Sequence, residues 1–416
     1  MLLCATLARD GYERIVKIQP FSSYMAAWNS ASSSEWRNLF INILLFIPLG
    51  FLLPLLSAKW NKCWKTYACG ALTALLIECL QFTFHRGIVE FDDFLNNTLG
   101  TVIGYGFSQI VYAIADALKN KKKICSVRLA LYQIPFAVVI AGYVIFFFLY
   151  SQLQLGTLPC RYSEIVNMSQ IKVESDREIT ANETENYVYI GTLMSEKESA
   201  LFAADYFQKL GDELDETQNN YYENTAMFKS KSMQYILTVT YRGGGYELTD
   251  FGSDAEEETS FSARTSDLSA EKIKSLLQQY HVTVPNQADF AELGDGEYQF
   301  AIHMKKEGDC WYDGVCTVIP AKNQWLSHLN YHIFCFSDEK TIDIKSEQQA
   351  YKELKEGKFI IPEEMDNIAD ITSLCIKDIT IVYELDSRGY AQPVYEFHVA
   401  VNQDKNNMVQ IKIPAI

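Results

Sequence analysis

The sequence predicts an α-helical membrane bundle of four full spans plus an N-terminal stub, followed by an α+β soluble domain with antiparallel sheet. Three observations predict it. Four apolar runs of membrane length succeed one another before residue 151. The charge then reverses: residues 1–150 carry 13 Lys and Arg against 8 acids, or +5, and the remainder carries 23 against 44, or −21. After that point, short runs rich in β-branched and aromatic residues alternate with capped helical patterns. A chain of 416 residues has room for two or more domains. Here they read as a membrane domain over 1–150 and an α+β domain over 151–416, the second with a candidate subdomain boundary near 285–295. An acidic soluble half is repelled by phosphate, which argues against a nucleic-acid partner. A basic apolar half joined to it is the pattern of a membrane anchor carrying a solvated domain.

In chain order, the first eight residues are apolar but far short of the roughly 20 needed to span a bilayer. They lack a basic n-region and read as the end of a first membrane helix. Residues 9–37 form a polar segment at one membrane face. In it, Ile18-Gln19-Pro20-Phe21 is an extended piece fixed by proline, and Trp28 and Trp36 are interfacial anchors. The spans follow at 38–57, 66–84, 94–115 and 129–150; only the second carries a charge, Glu78. Lys59, Lys62 and Lys65 occupy the loop after the first full span, and a second basic loop covers 119–128. The positive-inside rule makes both loops cytoplasmic and puts everything after Tyr150 on the outer side.

In the acidic half, residues 235–242, 298–304, 332–337, 376–385 and 394–401 read as strands. Ser195 precedes Glu198 by three, a capping box, and that helix stops at Gly211. Residues 269–280 and 346–357 repeat the style, and 252–260 make an acidic loop. The ten cysteines divide evenly between the halves. Cys69 and Cys79 read as inert small hydrophobes. Cys310 and Cys316 flank a turn-like Trp-Tyr-Asp-Gly-Val and could close a small disulfide loop in an oxidising compartment, or stay as two thiols. No paired CxxC or other metal motif stands out, and His328 and His332, four apart, fall in a strand pattern. No cofactor is expected.

The candidate site lies where the second and third full spans meet. Glu78 and Gln81 are three apart on one helix face. Asp93, Asn97 and Gly100 share a face of the next span, Arg86 lies in the connection beside His85, and Asp92 and Asn96 stand close by. Glu78 falls about 8–9 Å below the outer end of its span, where a carboxylate needs a proton or a cation, and Arg86 is the nearest supplier. Gly100 and Gly104 form a GxxxG that lets another helix approach. Such a cluster can be an ion-pair latch between helices, or a pocket open to the outer leaflet for a lipid headgroup or cell-wall precursor. It could also be an active site with Glu78 or Asp93 as general base, although no nucleophile–His–acid order accompanies it.

These residues also carry a resemblance. Asn42-Ile-Leu-Leu-Phe46-Ile47-Pro48-Leu49-Gly50, then Glu78-Cys-Leu-Gln81, Arg86 and Asp93-Phe-Leu-Asn-Asn97-Thr98-Leu-Gly100 resemble the ordered pattern of the VanZ family of membrane proteins, over about residues 12–115. The Pro-Phe pair at 20–21 fits the segment that follows that family's first helix, of which only a stub stands here. The resemblance implies a cell-envelope setting and an association with resistance to glycopeptide antibiotics, teicoplanin in particular. In the acidic half, residues 345–359, a following strand and Pro393-Val-Tyr-Glu-Phe resemble envelope domains of the PepSY and YycI kind. The function expected is binding of a membrane lipid or cell-wall precursor; the alternatives are a membrane-embedded hydrolase or transferase and an envelope sensor.

Overall fold

Each uncharged run in the N-terminal half becomes one long helix, because backbone groups without water must be satisfied within the segment. A computed structural model describes residues 16–30, 33–84, 89–120, 126–252, 268–321, 325–362, 364–365, 368–402, 404 and 407–416. The chain separates into two compact units, Met1–Gln154 and Leu155–Ile416.

In the first unit, β1 (Val16–Lys17) leads into α1 (Ser22–Ser30). Four membrane-length helices follow: α2 (Ser33–Leu56), α3 (Cys63–Phe84), α4 (Phe91–Asn120) and α5 (Ser126–Gln152). They match the four predicted spans and begin three to five residues before each; the first ends at Leu56, one residue short of the predicted end. The terminal stub, residues 1–8, lies outside the described residues. The segment expected to be merely polar holds a real helix, α1, whose start follows Pro20 and is signalled by Ser22 and Ser23.

Close backbone approach binds α4 to α2. A Cβ on Gly100 would lie 2.1 Å from the Ile43 carbonyl oxygen, one on Gly104 2.1 Å from that of Ile47, and one on Gly50 2.0 Å from that of Thr101. Small residues four apart on α4 thus sit over carbonyls four apart on α2, which is how the GxxxG works here. Pro48 and Pro54 lie inside α2. The Pro54 carbonyl accepts a hydrogen bond from the Tyr112 hydroxyl of α4 at 2.5 Å, a cross-link at the other end of the same crossing.

The second unit is built from two sheets, each with helices on it. Its strands are β3 (Lys172–Ser175), β4 (Thr184–Ile190), β5 (Asn220–Tyr221), β6 (Thr225–Lys229), β7 (Tyr235–Thr240) and β8 (Tyr246–Asp250). They continue as β9 (Asp289–Gly294), β10 (Glu297–Glu307), β11 (Cys310–Pro320), β12 (Leu326–Phe336), β13 (Asp338–Ile344), β14 (Ser373–Leu385), β15 (Tyr390–Val401) and β16 (Met408–Pro414). The larger sheet is antiparallel, in the order β5-β6-β7-β8-β12-β11-β10-β9. One face buries Leu237, Val239, Leu248, Phe300 and Ile302 against Phe207 of α6 (Glu196–Lys209) and Ile273 and Leu277 of α7 (Ala270–Gln279). The smaller sheet runs β13-β4-β15-β14-β3, with β16 also on β15 and with β3 joined in parallel. It buries Ile376, Phe397 and Ile411 against Ala350 and Leu354 of α8 (Glu347–Lys355). Ser195 and Ser346 close capping boxes at the starts of α6 and α8, and Gly211 and Gly357 follow them with positive φ.

Two expectations are corrected. No boundary falls at 285–295, since β9 and β10 continue the larger sheet; the smaller sheet is assembled from both ends of the unit, and the chain passes between them at Ser337. Cys310 is bonded to Cys335, with Cα atoms 5.6 Å apart, and Cys316 is a buried thiol. The reason is that residues 310–316 form extended strand rather than a turn, so six residues separate those cysteines by about 20 Å. Cys335, on the neighbouring strand, lies opposite Tyr312. Burial pushes the Cys316 thiol up to about 12. The acidic loop at 252–260 lies, apart from Gly252, outside the described residues.

Candidate functional site

At the end of the bundle where α3 finishes and α4 begins, polar side chains meet in two tiers. The first tier fastens helices. The Asp92 carboxylate, 1% exposed, accepts from the backbone N–H of Phe21 at 2.7 Å and of Ser23 at 2.9 Å. That is an N-terminal cap for α1 supplied from another helix, with a negative charge where the helix dipole is positive. The Tyr24 hydroxyl donates to Asn96 Oδ1 at 2.6 Å. Ser23 Oγ donates to Glu90 at 2.8 Å, and Lys17 pairs with Glu90 at 3.4 Å. Just beside them β1 pairs in parallel with β2 (Val89–Glu90), Val16 opposite Val89. The Asn42 amide of α2 donates to Asp93 Oδ1 at 2.5 Å.

The second tier lies along the buried face of α3. Glu78 and Gln81 are 5% and 4% exposed, and Asn97 on α4 is 4% exposed. Next to Glu78, Ile77 and Ala74 pack with Phe46 of α2, and Phe94 of α4 packs against them. Thr101 is fully buried; its hydroxyl donates to the Asn97 carbonyl at 3.3 Å, and a Cβ on Gly70 would strike its side chain. An acid and two amides therefore lie buried where α3 and α4 pack near the apolar contacts of Phe46, Ala74 and Ile77.

Of the predicted site residues, Glu78, Gln81 and Asn97 are each buried, while Asp93 is half-buried and bonded to Asn42. Arg86 and His85 lie outside the described residues. The residues missed as helix fasteners are Asp92 and Tyr24. A Pro-Phe-Ser-Ser start without an acid of its own was the signal that a cap had to come from elsewhere.

In the second unit, His328 and His332 both lie on β12. Four residues of strand separate them by about 13 Å. His332 abuts Asn330, and burial holds its imidazole below its ordinary value. Among the described residues no three His, Cys, Asp or Glu side chains gather as metal ligands.

Comparison with known proteins adds to this geometry. Residues 5–112, about a quarter of the chain, match the family model described as VanZ/LLP1. The membrane domain is thus VanZ-like, and the match spans α1, α2, α3 and most of α4. No curated protein matches the chain. Among solved structures, the Bacillus megaterium YpeB C-terminal domain is similar at 12% identity, covering 54% of this chain and 94% of that one. Its TM-score is 0.21, too low to bear on the fold.

Proposed function

We propose that this VanZ-like membrane protein binds the headgroup of an envelope lipid, or of a lipid-linked cell-wall precursor, at Glu78, Gln81 and Asn97. The observation that carries the reading is the burial of Glu78: it is 5% exposed and stands six residues before the end of α3, about 9 Å along the helix. An ionisable group at that depth is costly and most often functional. Gln81, one turn further along α3, and Asn97 on the neighbouring α4 add donors and acceptors. Asp92 and Asp93 fasten helices to one another.

The topology that goes with this reading puts the basic loops at 59–65 and 119–128 in the cytoplasm. Glu78 then lies in the outer leaflet, and residues 151–416 are extracytoplasmic. Its acidity keeps such a domain soluble. The association with teicoplanin that the VanZ resemblance implies would follow from occupying a lipid-linked precursor, or from changing what the antibiotic reaches at the outer surface.

The experiment is lipid analysis of protein purified in mild detergent. Wild type should retain a polar lipid that Glu78→Ala loses while its unfolding temperature stays within a few degrees. Equal retention by the two proteins rejects the reading. Loss of expression or of thermal stability in Glu78→Ala and Glu78→Gln alike identifies the tier as a structural latch.

A further inference from the structure

We propose that the opposite end of α3 holds one anionic phospholipid, its phosphate on Lys59 and Lys65 and one acyl chain along the helix. A groove of about 430 Å³ opens there on the outer face of α3, headed by Lys59, Trp64 and Lys65 and continuing along Ala68, Leu72 and Leu76. Ala68, Leu72 and Leu76 are four apart, so they form one stripe along the helix. Leu72 and Leu76 are 67% and 56% exposed, and Trp64 is 64% exposed. The stripe from Lys65 to Leu76 measures about 16 Å at 1.5 Å per residue, half of a hydrocarbon core roughly 30 Å thick. The groove therefore has the length of one leaflet, with cations at the headgroup end and a tryptophan at the interface.

The loop that carries Lys59 is held in place. Ser57 caps the 3-10 turn Ala58–Trp60. The buried Thr66 hydroxyl donates to the Trp60 carbonyl at 2.7 Å, and Gln109 of α4 donates to Asn61 at 2.9 Å. This short loop is thus pinned to two helices. The charge fits an anion, since the sequence has no Asp or Glu between Glu35 and Glu78. Asp116, near the same end of α4, accepts from Asn120. Among the described residues Lys59 and Lys65 make no ion pair, and Lys65 stands 5.6 Å over the Trp64 ring. Basic sites of this kind between or beside spans attract anionic headgroups. Under the proposed topology this is the inner leaflet, so the site is separate from the one at Glu78.

Quenching by brominated lipids tests it. The full chain, with Trp28, Trp36, Trp311 and Trp325 replaced by phenylalanine, is reconstituted in phosphatidylcholine vesicles containing a minor fraction of brominated phosphatidylglycerol or brominated phosphatidylcholine. Trp60 and Trp64 should report a preference for phosphatidylglycerol on the order of tenfold. Lys59→Gln with Lys65→Gln should erase it, and Lys59→Arg with Lys65→Arg should keep it. Equal quenching by the two headgroups in the parent chain overturns the proposal, as does a preference that survives the glutamine pair. The parent chain alone decides the matter if the glutamine variant does not fold, and Glu78→Ala should leave the preference unchanged.

Discussion

Asp92 shows what a single carboxylate does in this bundle. It is buried in α4 yet caps α1, some seventy residues earlier in the chain, through two backbone N–H groups. Replacing it with alanine should cost about 1–2 kcal/mol. Amide exchange should accelerate at Phe21 and Ser23, which thermal unfolding and hydrogen-exchange mass spectrometry would show; unchanged exchange there would contradict the cap. The place of Asp92 in the polar cluster is legible in the sequence, but its role is not, because its partners are backbone groups far away in the chain. Glu78, Gln81 and Asn97 were legible from the cost of polar groups within apolar runs, and they are buried. Cys335 was not, because its pairing with Cys310 depends on strand register, which no local pattern in Cys-Trp-Tyr-Asp-Gly-Val-Cys reveals.

Among elements, the crossing of α2 and α4 decides whether the site exists at all. Gly100 and Gly104 place their backbones against the Ile43 and Ile47 carbonyls, so a methyl group at either position must drive the helices apart. Gly104→Ala should lower stability by more than about 2 kcal/mol. Gly142→Ala, in α5 where no atom lies within 4 Å of the added Cβ, should leave it unchanged or raise it by up to about 1 kcal/mol. Thermal unfolding of the two variants side by side checks this; equal effects would show that the crossing tolerates separation. The four membrane helices and the capped helices α6 and α8 were readable from hydropathy and from Ser-to-Gly punctuation. The start of α1 was signalled by Ser22 and Ser23, but its cap was not, because Asp92 supplies it from α4. The sheet order was hidden because β4 and β13, which pair in register from Asp338 opposite Ile190 to Ile344 opposite Thr184, lie far apart in sequence.

For the whole molecule, a basic membrane unit is followed by an acidic sheet unit, and the side on which that second unit lies governs what it can meet. With the native free cysteines replaced, a cysteine at Gly252 should react with an impermeant thiol reagent on intact cells, and one at Lys62 only after lysis. The reverse pattern would invert the topology and put Glu78 in the inner leaflet. The reading at 285–295 failed at this scale for a physical reason. Turn residues there serve the hairpin β9–β10 within one sheet, and a turn looks the same in sequence whether or not a domain ends at it.

The central claim is that Glu78 and Asn97, on different helices, contact one bound lipid. A double-mutant cycle on the affinity of the lipid retained by wild type tests it most directly, with Glu78→Gln, Asn97→Ala and the pair measured by native mass spectrometry. Each single change should weaken binding, and the two together should fall short of additivity by at least about 0.5 kcal/mol. Strict additivity, or binding untouched by either change, would contradict it.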